Sequence, residues 1–138
     1  MKPTDPVILI CCAIATQEGW FSKDSSLLPV ENNNPGDLDF AGQLNAVQNG
    51  RFAKFSSPQA GEAALFRQVW MQVAEHQTLR QIINQWAPSN ENNTSAYLAN
   101  VAKWTGLPAD TPILQLLPDL VNLSLYRHPN APLQQDAP

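Results

Sequence analysis

The chain has 138 residues, 43% of them hydrophobic and 14% charged, with a net charge of −4. That length and apolar content suit one domain with a real core and argue against disorder. The negative balance gives no basic footprint for nucleic acid and no long-range attraction to anionic polymers, so any such ligand would have to be held by hydrogen bonds and stacking in a cleft.

Asp5-Pro6 reads as an N-cap with proline at the first helical position, and the apolar run VILICCAIA (7–15) continues from it. The spacing predicts a buried, central helix over residues 6–18, with Gly19 suited to its end. Cys11 and Cys12, the only two cysteines, would point about 100° apart on it and so make poor disulfide partners. They are read as buried free thiols. Lys2, the apolar run and Ala13-Ile14-Ala15 have a faint look of a signal peptide. The very short n-region containing Asp5-Pro6 argues against that, as does the need of the remaining chain for this helix. The run is also too short to span a bilayer.

Glu18 closes this helix. Loss of water and the negative end of the helix dipole both raise a carboxyl pKa there. An acid kept protonated near neutral pH is what glycosidic-bond cleavage needs from its proton donor. The plain alternative is an exposed glutamate at a helix end.

Residues 21–56 are rich in turn formers. ENNNPGD (31–37) combines Asn and Asp turn chemistry with a Pro-Gly pair suited to a type II turn. Extended segments are expected around residues 38–40, 44–47 and 51–55, with Asn49-Gly50 as a hairpin signal. Such a stretch reads as an ordered functional loop rather than a linker. Beyond it the chain reads as four amphipathic helices. Ser57-Pro58 starts the first, with Leu65, Phe66, Val69, Trp70 and Val73 inward. Thr78 caps the second, carrying Leu79, Ile82, Ile83 and Trp86, and Ala87-Pro88 ends it. Asn93 or Thr94 starts the third, with Tyr97, Leu98 and Val101 inward and Gly106 at its end; Glu91 and Asn92 can cap it. Asp110-Thr111-Pro112 opens the fourth, rich in leucine and bent at Pro118. The expected architecture is mainly α (α+β): a buried N-terminal helix, an irregular or short-hairpin lobe, then a helical bundle. It forms a single domain over residues 1–128 with a frayed tail over 129–138. The two histidines, far apart, offer no ligand spacing, so no metal and no cofactor is expected.

Four segments, AIATQEGW (13–20), NNNPGDL (32–38), GRFAKFSSPQAGEAAL (50–65) and WAPSNENNTSAYLANV (86–101), together resemble the lysozyme-like superfamily of lytic transglycosylases and phage muramidases. The look is nearest to phage virion-associated members. The Gly-Leu-Met-Gln and Ala-Tyr-Asn-Ala-Gly motifs of soluble lytic transglycosylases are missing, so that branch's reaction outcome does not transfer. The resemblance implies a lysozyme-like fold and cleavage of peptidoglycan between N-acetylmuramic acid and N-acetylglucosamine, with Glu18 as general acid and base. It also implies action on the bacterial wall, outside the cytoplasm, and partners in a virion or secretion apparatus.

The candidate substrate-binding set is Asn33, Asn34, Phe55 and Tyr97. The plain reading beside the asparagines is turn capping and beside Tyr97 a core tyrosine, while Phe52 and Phe55 alternate with polar neighbours and one of them is expected to face the cleft. Asp37 and Asp39 are candidates for a second carboxylate but read more simply as solvated loop acids, and without one the acetamido group of the substrate would assist the reaction. Trp20, Trp70, Trp86 and Trp104 read mostly as core. The competing readings are a non-catalytic structural or glycan-binding module of phage origin, and an inhibitor or adaptor presenting its leucine-rich C-terminal helix.

Overall fold

The computed structural model describes residues 5–22, 24–90 and 93–117. Among the described residues, five α-helices and a two-stranded sheet make a mainly helical α+β fold, in the order α1 (Pro6–Gln17), α2 (Leu28–Glu31), β1 (Ala46–Asn49), β2 (Phe52–Phe55), α3 (Pro58–Ala74), α4 (Leu79–Trp86), α5 (Thr94–Thr105). Among the described residues, no helix is long and apolar enough to cross a membrane.

Helix α1 starts where its sequence says. The Asp5 carboxylate accepts from the amides of Val7 and Ile8, and Pro6 occupies the first turn, where no amide donor is needed. Glu18 is the C-cap, and Gly19 follows in the left-handed region at φ +81°. The helix packs on α5 and α3 through Val7, Ile10, Ala13 and Ile14, all buried. It is not enclosed all round, because Ile8, Cys12 and Thr16 lie on an exposed strip. The thiols are free, as their spacing requires, but only Cys11 is partly buried and Cys12 is exposed. Burial pushes the Cys11 thiol up to about 12, so it stays a neutral apolar filler.

The lobe after α1 holds a single 3₁₀ turn (Trp20–Ser22), the short α2, and the antiparallel β1–β2 hairpin. Asn49 pairs with Phe52, so the two-residue turn is Gly50-Arg51 rather than Asn49-Gly50. Gly50 takes φ +61° at the first turn position, as a II′ loop requires. Of the extended segment expected at 38–40, only a bridge from Asp39 to Phe52 forms.

Three helices follow. Ser57 caps α3 through the amide of Ala60, Thr78 and Gln81 form a reciprocal capping box on α4, and Asn93 caps α5 through the amide of Ala96. On α3 the inward stripe is Leu65, Val69 and Val73, one residue per turn, while Phe66 and Trp70 are 45% and 40% exposed. Taking all five apolar residues as one inward face makes that face too wide. Trp20 is core and Trp86 half-buried, while Trp104 is exposed like Trp70. Over the described part of the expected fourth helix, residues 113–116 make one 3₁₀ turn and Leu117 is extended. The bend at Pro118, the 129–138 tail and the Glu91-Asn92 cap lie outside the described residues.

Candidate functional site

Helix α1 ends against the N-terminal half of α5, and there Glu18 meets Tyr97. The Tyr97 hydroxyl donates to Glu18 Oε1 at 3.3 Å, and one turn further along α5 the Asn100 amide donates to Gln17 at 3.0 Å. These two bonds pin the end of the first helix to the last. Glu18 itself is only partly exposed. Burial lifts its pKa from the ordinary 4.5 to about 7; the nearby Asp37 carboxylate adds to the rise, and the Tyr97 bond opposes it. Burial pushes the Tyr97 phenol up as well, so its proton stays in place as a donor to Glu18.

Asp37 arrives from the Asn-rich loop. The loop closes with the Asp37 amide donating to the Asn34 carbonyl at 3.0 Å across Pro35-Gly36. Gly36 is not in the positive-φ region, so the turn is not the type II that Pro-Gly suggests. Glycine is needed there for space, because a Cβ would stand 2.9 Å from the Trp86 ring and 3.0 Å from Leu65. Asp37 takes φ +51°, which Asp tolerates better than most residues. Its Oδ1 is buried without a hydrogen-bond partner, and burial raises its pKa, with Arg51 acting against the rise. Asp39, by contrast, is a solvated acid whose carboxylate pairs with Arg51 at 3.1 Å.

The candidate sugar contacts divide differently. Asn34 is fully buried: its amide nitrogen donates to Leu38 O and Ala53 O, both at 2.9 Å, and its oxygen accepts from the Leu38 amide at 2.9 Å. Every part of that carboxamide is occupied by backbone, so Asn34 ties the loop to β2 and has nothing to offer a ligand. Phe55 is 2% exposed and belongs to the core, so it gives a sugar no surface. Asn33 is half-buried at φ +50° and donates to the Phe55 carbonyl at 3.0 Å, on the hairpin side of the loop. Its own carbonyl leaves no room for a Cβ at Gly61. Tyr97 is the one member of the set that the structure brings to Glu18, and its hydroxyl is committed to that carboxyl rather than to the solvent side.

Beside Asp37 lies an open cleft of about 670 Å³ between the loop and the α3–α4 pair. Its walls carry Gln43, Gln68, Gln72, Gln85, Trp86 and the Arg51–Asp39 pair. Glu18 is not among the lining residues; Asp37 is, and so connects the two places. The glutamines are not legible as a group in the sequence, because they are spread over 43 positions of the chain and converge only through the fold. A faint signal was there: Gln68 and Gln72 sit four apart on α3, and Gln72 falls on its otherwise apolar side. Among the described residues, no three His, Cys, Asp or Glu side chains gather closely enough to hold a metal ion. Compared with protein-family models, curated proteins and solved structures, the chain matches none of them.

Proposed function

We propose that this protein cleaves the glycan strands of peptidoglycan between N-acetylmuramic acid and N-acetylglucosamine on a lysozyme-like scaffold, with Glu18 as general acid and then base. The observation that carries this reading is a half-buried carboxyl at a helix end whose pKa is raised to about 7 and which accepts a hydrogen bond from a phenol. Such a group is partly protonated at neutral pH and can lend its proton. The element order supports the scaffold: a first helix ending in the acid, a hairpin lobe, then helices that return to cover that end.

In this mechanism the Glu18 proton passes to the bridging oxygen while the C1–O bond breaks and its electron pair leaves with that oxygen. The positive C1 is captured by the neighbouring acetamido oxygen or by water. Glu18, now ionised, takes the proton from the incoming hydroxyl, and the Tyr97 bond stabilises it in that form. Asp37 supplies a negative charge nearby, which favours the cationic transition state and keeps Glu18 protonated for the next cycle. Mass spectrometry of fragments released from purified peptidoglycan tests the proposal. Anhydro ends mean capture by the sugar's own hydroxyl, reducing ends mean capture by water, and the absence of any fragment would overturn it.

A second reading, a glycan-binding module without catalysis, has one observation in its favour: Glu18 does not line the cleft beside Asp37. Binding to wall material without fragment release would select it. On either reading, virion or secretion-apparatus partners would be what delivers the protein to the wall.

A further inference from the structure

Residues 16–19 finish the first helix, and none of them carries a buried apolar side chain. The core contribution of α1 stops at Ala15 and resumes only at Trp20. Between those points two side-chain bonds join the chain to α5, from Tyr97 to Glu18 and from Asn100 to Gln17, and they are not equally well made. Asn100 Nδ2 donates to Gln17 Oε1 at 3.0 Å, an ordinary length for an N–H donor. The Tyr97 hydroxyl stands 3.3 Å from Glu18 Oε1, which is long for an O–H donor, usually about 2.7–2.8 Å from its acceptor. A separation wider by about half an ångström would end that bond. Tyr97 is 5% exposed, so its packed ring cannot reach out, and the place of its oxygen is set by where α5 lies against α1.

We propose that Asn100 is a positioning residue for the acid: its bond to Gln17 holds the end of α1 against α5 and so keeps the Tyr97 phenol within reach of Glu18. The spacing suits that division of labour. Tyr97 and Asn100 lie three apart on one face of α5, and their acceptors are the last residue of α1 and its C-cap. Asn100 touches neither the acid nor any reacting atom and acts only through Tyr97. Among the described residues, the groups that act on the Glu18 charge are Asp37 from the Asn-rich loop and Tyr97 from α5, while Arg51 acts one step away, on Asp37. Gln17 and Asn100 are both neutral, so replacing either with another neutral residue changes no charge near Glu18. Any change in the titration of Glu18 must then come from the hydrogen bond or from water. Those two causes have opposite signs: losing the phenol raises the pKa, and admitting water lowers it. The inference rests on the proposed function for its meaning, because the reach of the phenol matters to the reaction only if Glu18 is the acid.

The test is a carbon-detected NMR titration of the Glu18 carboxyl in the full chain without any glycan. Asn100→Ala puts a better helix former on α5 and does not threaten folding, and Gln17→Met removes the same bond from its other end. Each should move the Glu18 midpoint upward from about 7 by about half a pH unit, in the direction expected of Tyr97→Phe. In the Tyr97→Phe background, Asn100→Ala should add nothing, because the group it acts through is gone. A melting temperature would register the lost bond whatever its role; the midpoint moves only if that bond governs the phenol. An unmoved or lowered midpoint in both single variants, or an Asn100→Ala shift that persists without the Tyr97 hydroxyl, would overturn the role of Asn100. Fragment release from peptidoglycan alongside either of those results would leave the proposed function standing. A raised midpoint that depends on Tyr97, in a protein that releases no fragments, would keep the positioning and remove the proposed function.

Discussion

The Asn-rich loop and the end of the first helix both bury polar side chains, and they treat them in opposite ways. In the loop the Asn34 carboxamide is saturated by three backbone groups, and Asn33 is spent on the Phe55 carbonyl. At the helix end, Glu18 keeps a raised pKa despite the bond from Tyr97, and Asp37 has a buried oxygen with no partner. Saturation is the signature of a group that holds the fold together. A buried charge left short of partners is a cost the fold carries without structural return, which is how reactive groups are tuned. Both regions look equally polar in the sequence; only the partners each side chain finds separate them.

The largest effect should fall on the loop. Asn34→Ala strips two carbonyls and one amide of their partner in a buried setting, and should lower unfolding stability by roughly 3 kcal/mol in a urea titration. Turnover per folded molecule should stay within twofold, the opposite of what a sugar contact would give. A tenfold loss of turnover at unchanged stability would break the comparison.

Glu18→Gln comes next, with the sign reversed. An acid whose folded pKa is raised binds its proton more tightly when folded, so its contribution to stability is full below about 4.5 and is lost as pH rises through about 7. At pH 8 the wild type carries a buried charge that glutamine does not. The variant should therefore be more stable there by roughly 2 kcal/mol, after discounting for its exposed edge, with no difference near pH 4. A variant less stable than the wild type at pH 8 would place Glu18 among the structural groups.

Smaller shifts should appear in the pH–rate profile. Activity should fall as pH climbs through about 7, because the protonated acid is the competent form. Asp37→Asn removes a neighbouring charge and should move that fall to lower pH. Tyr97→Phe removes the bond that stabilises the carboxylate and should move it to higher pH. Shifts in the same direction for both variants would contradict the assignment of their roles. The smallest effect is expected at Trp70, whose exposed ring should change stability by no more than about 0.5 kcal/mol when replaced by alanine.

What is legible in the sequence follows from how local each signal is. Asp5, Ser57, Thr78 and Asn93 mark their helix starts because a cap acts on amides two or three residues away. The place of Glu18 at the helix end is legible for the same reason, since it follows the apolar run through Thr16 and Gln17 and directly precedes a glycine. Asn34 and Phe55 pass for sugar contacts in the sequence because their burial depends on β2 folding back over the loop, a contact between segments about 20 residues apart. The outward turn of Phe66 and Trp70 is hidden because hydrophobicity alone cannot say how wide a buried face is. Asp37 shares with Asp39 a solvated reading that fits Asp39 only. The two acids differ in their left-handed backbone and in the Arg51 partner, neither of which composition reveals.

The most direct test is digestion of purified peptidoglycan by wild type and Glu18→Gln side by side at pH 6, with both confirmed folded. Glutamine keeps an oxygen for the Tyr97 hydroxyl to bond and removes only the transferable proton. The wild type should release soluble fragments and the variant at least a hundredfold fewer, a barrier difference of about 2.7 kcal/mol. Equal release by the two proteins would contradict it.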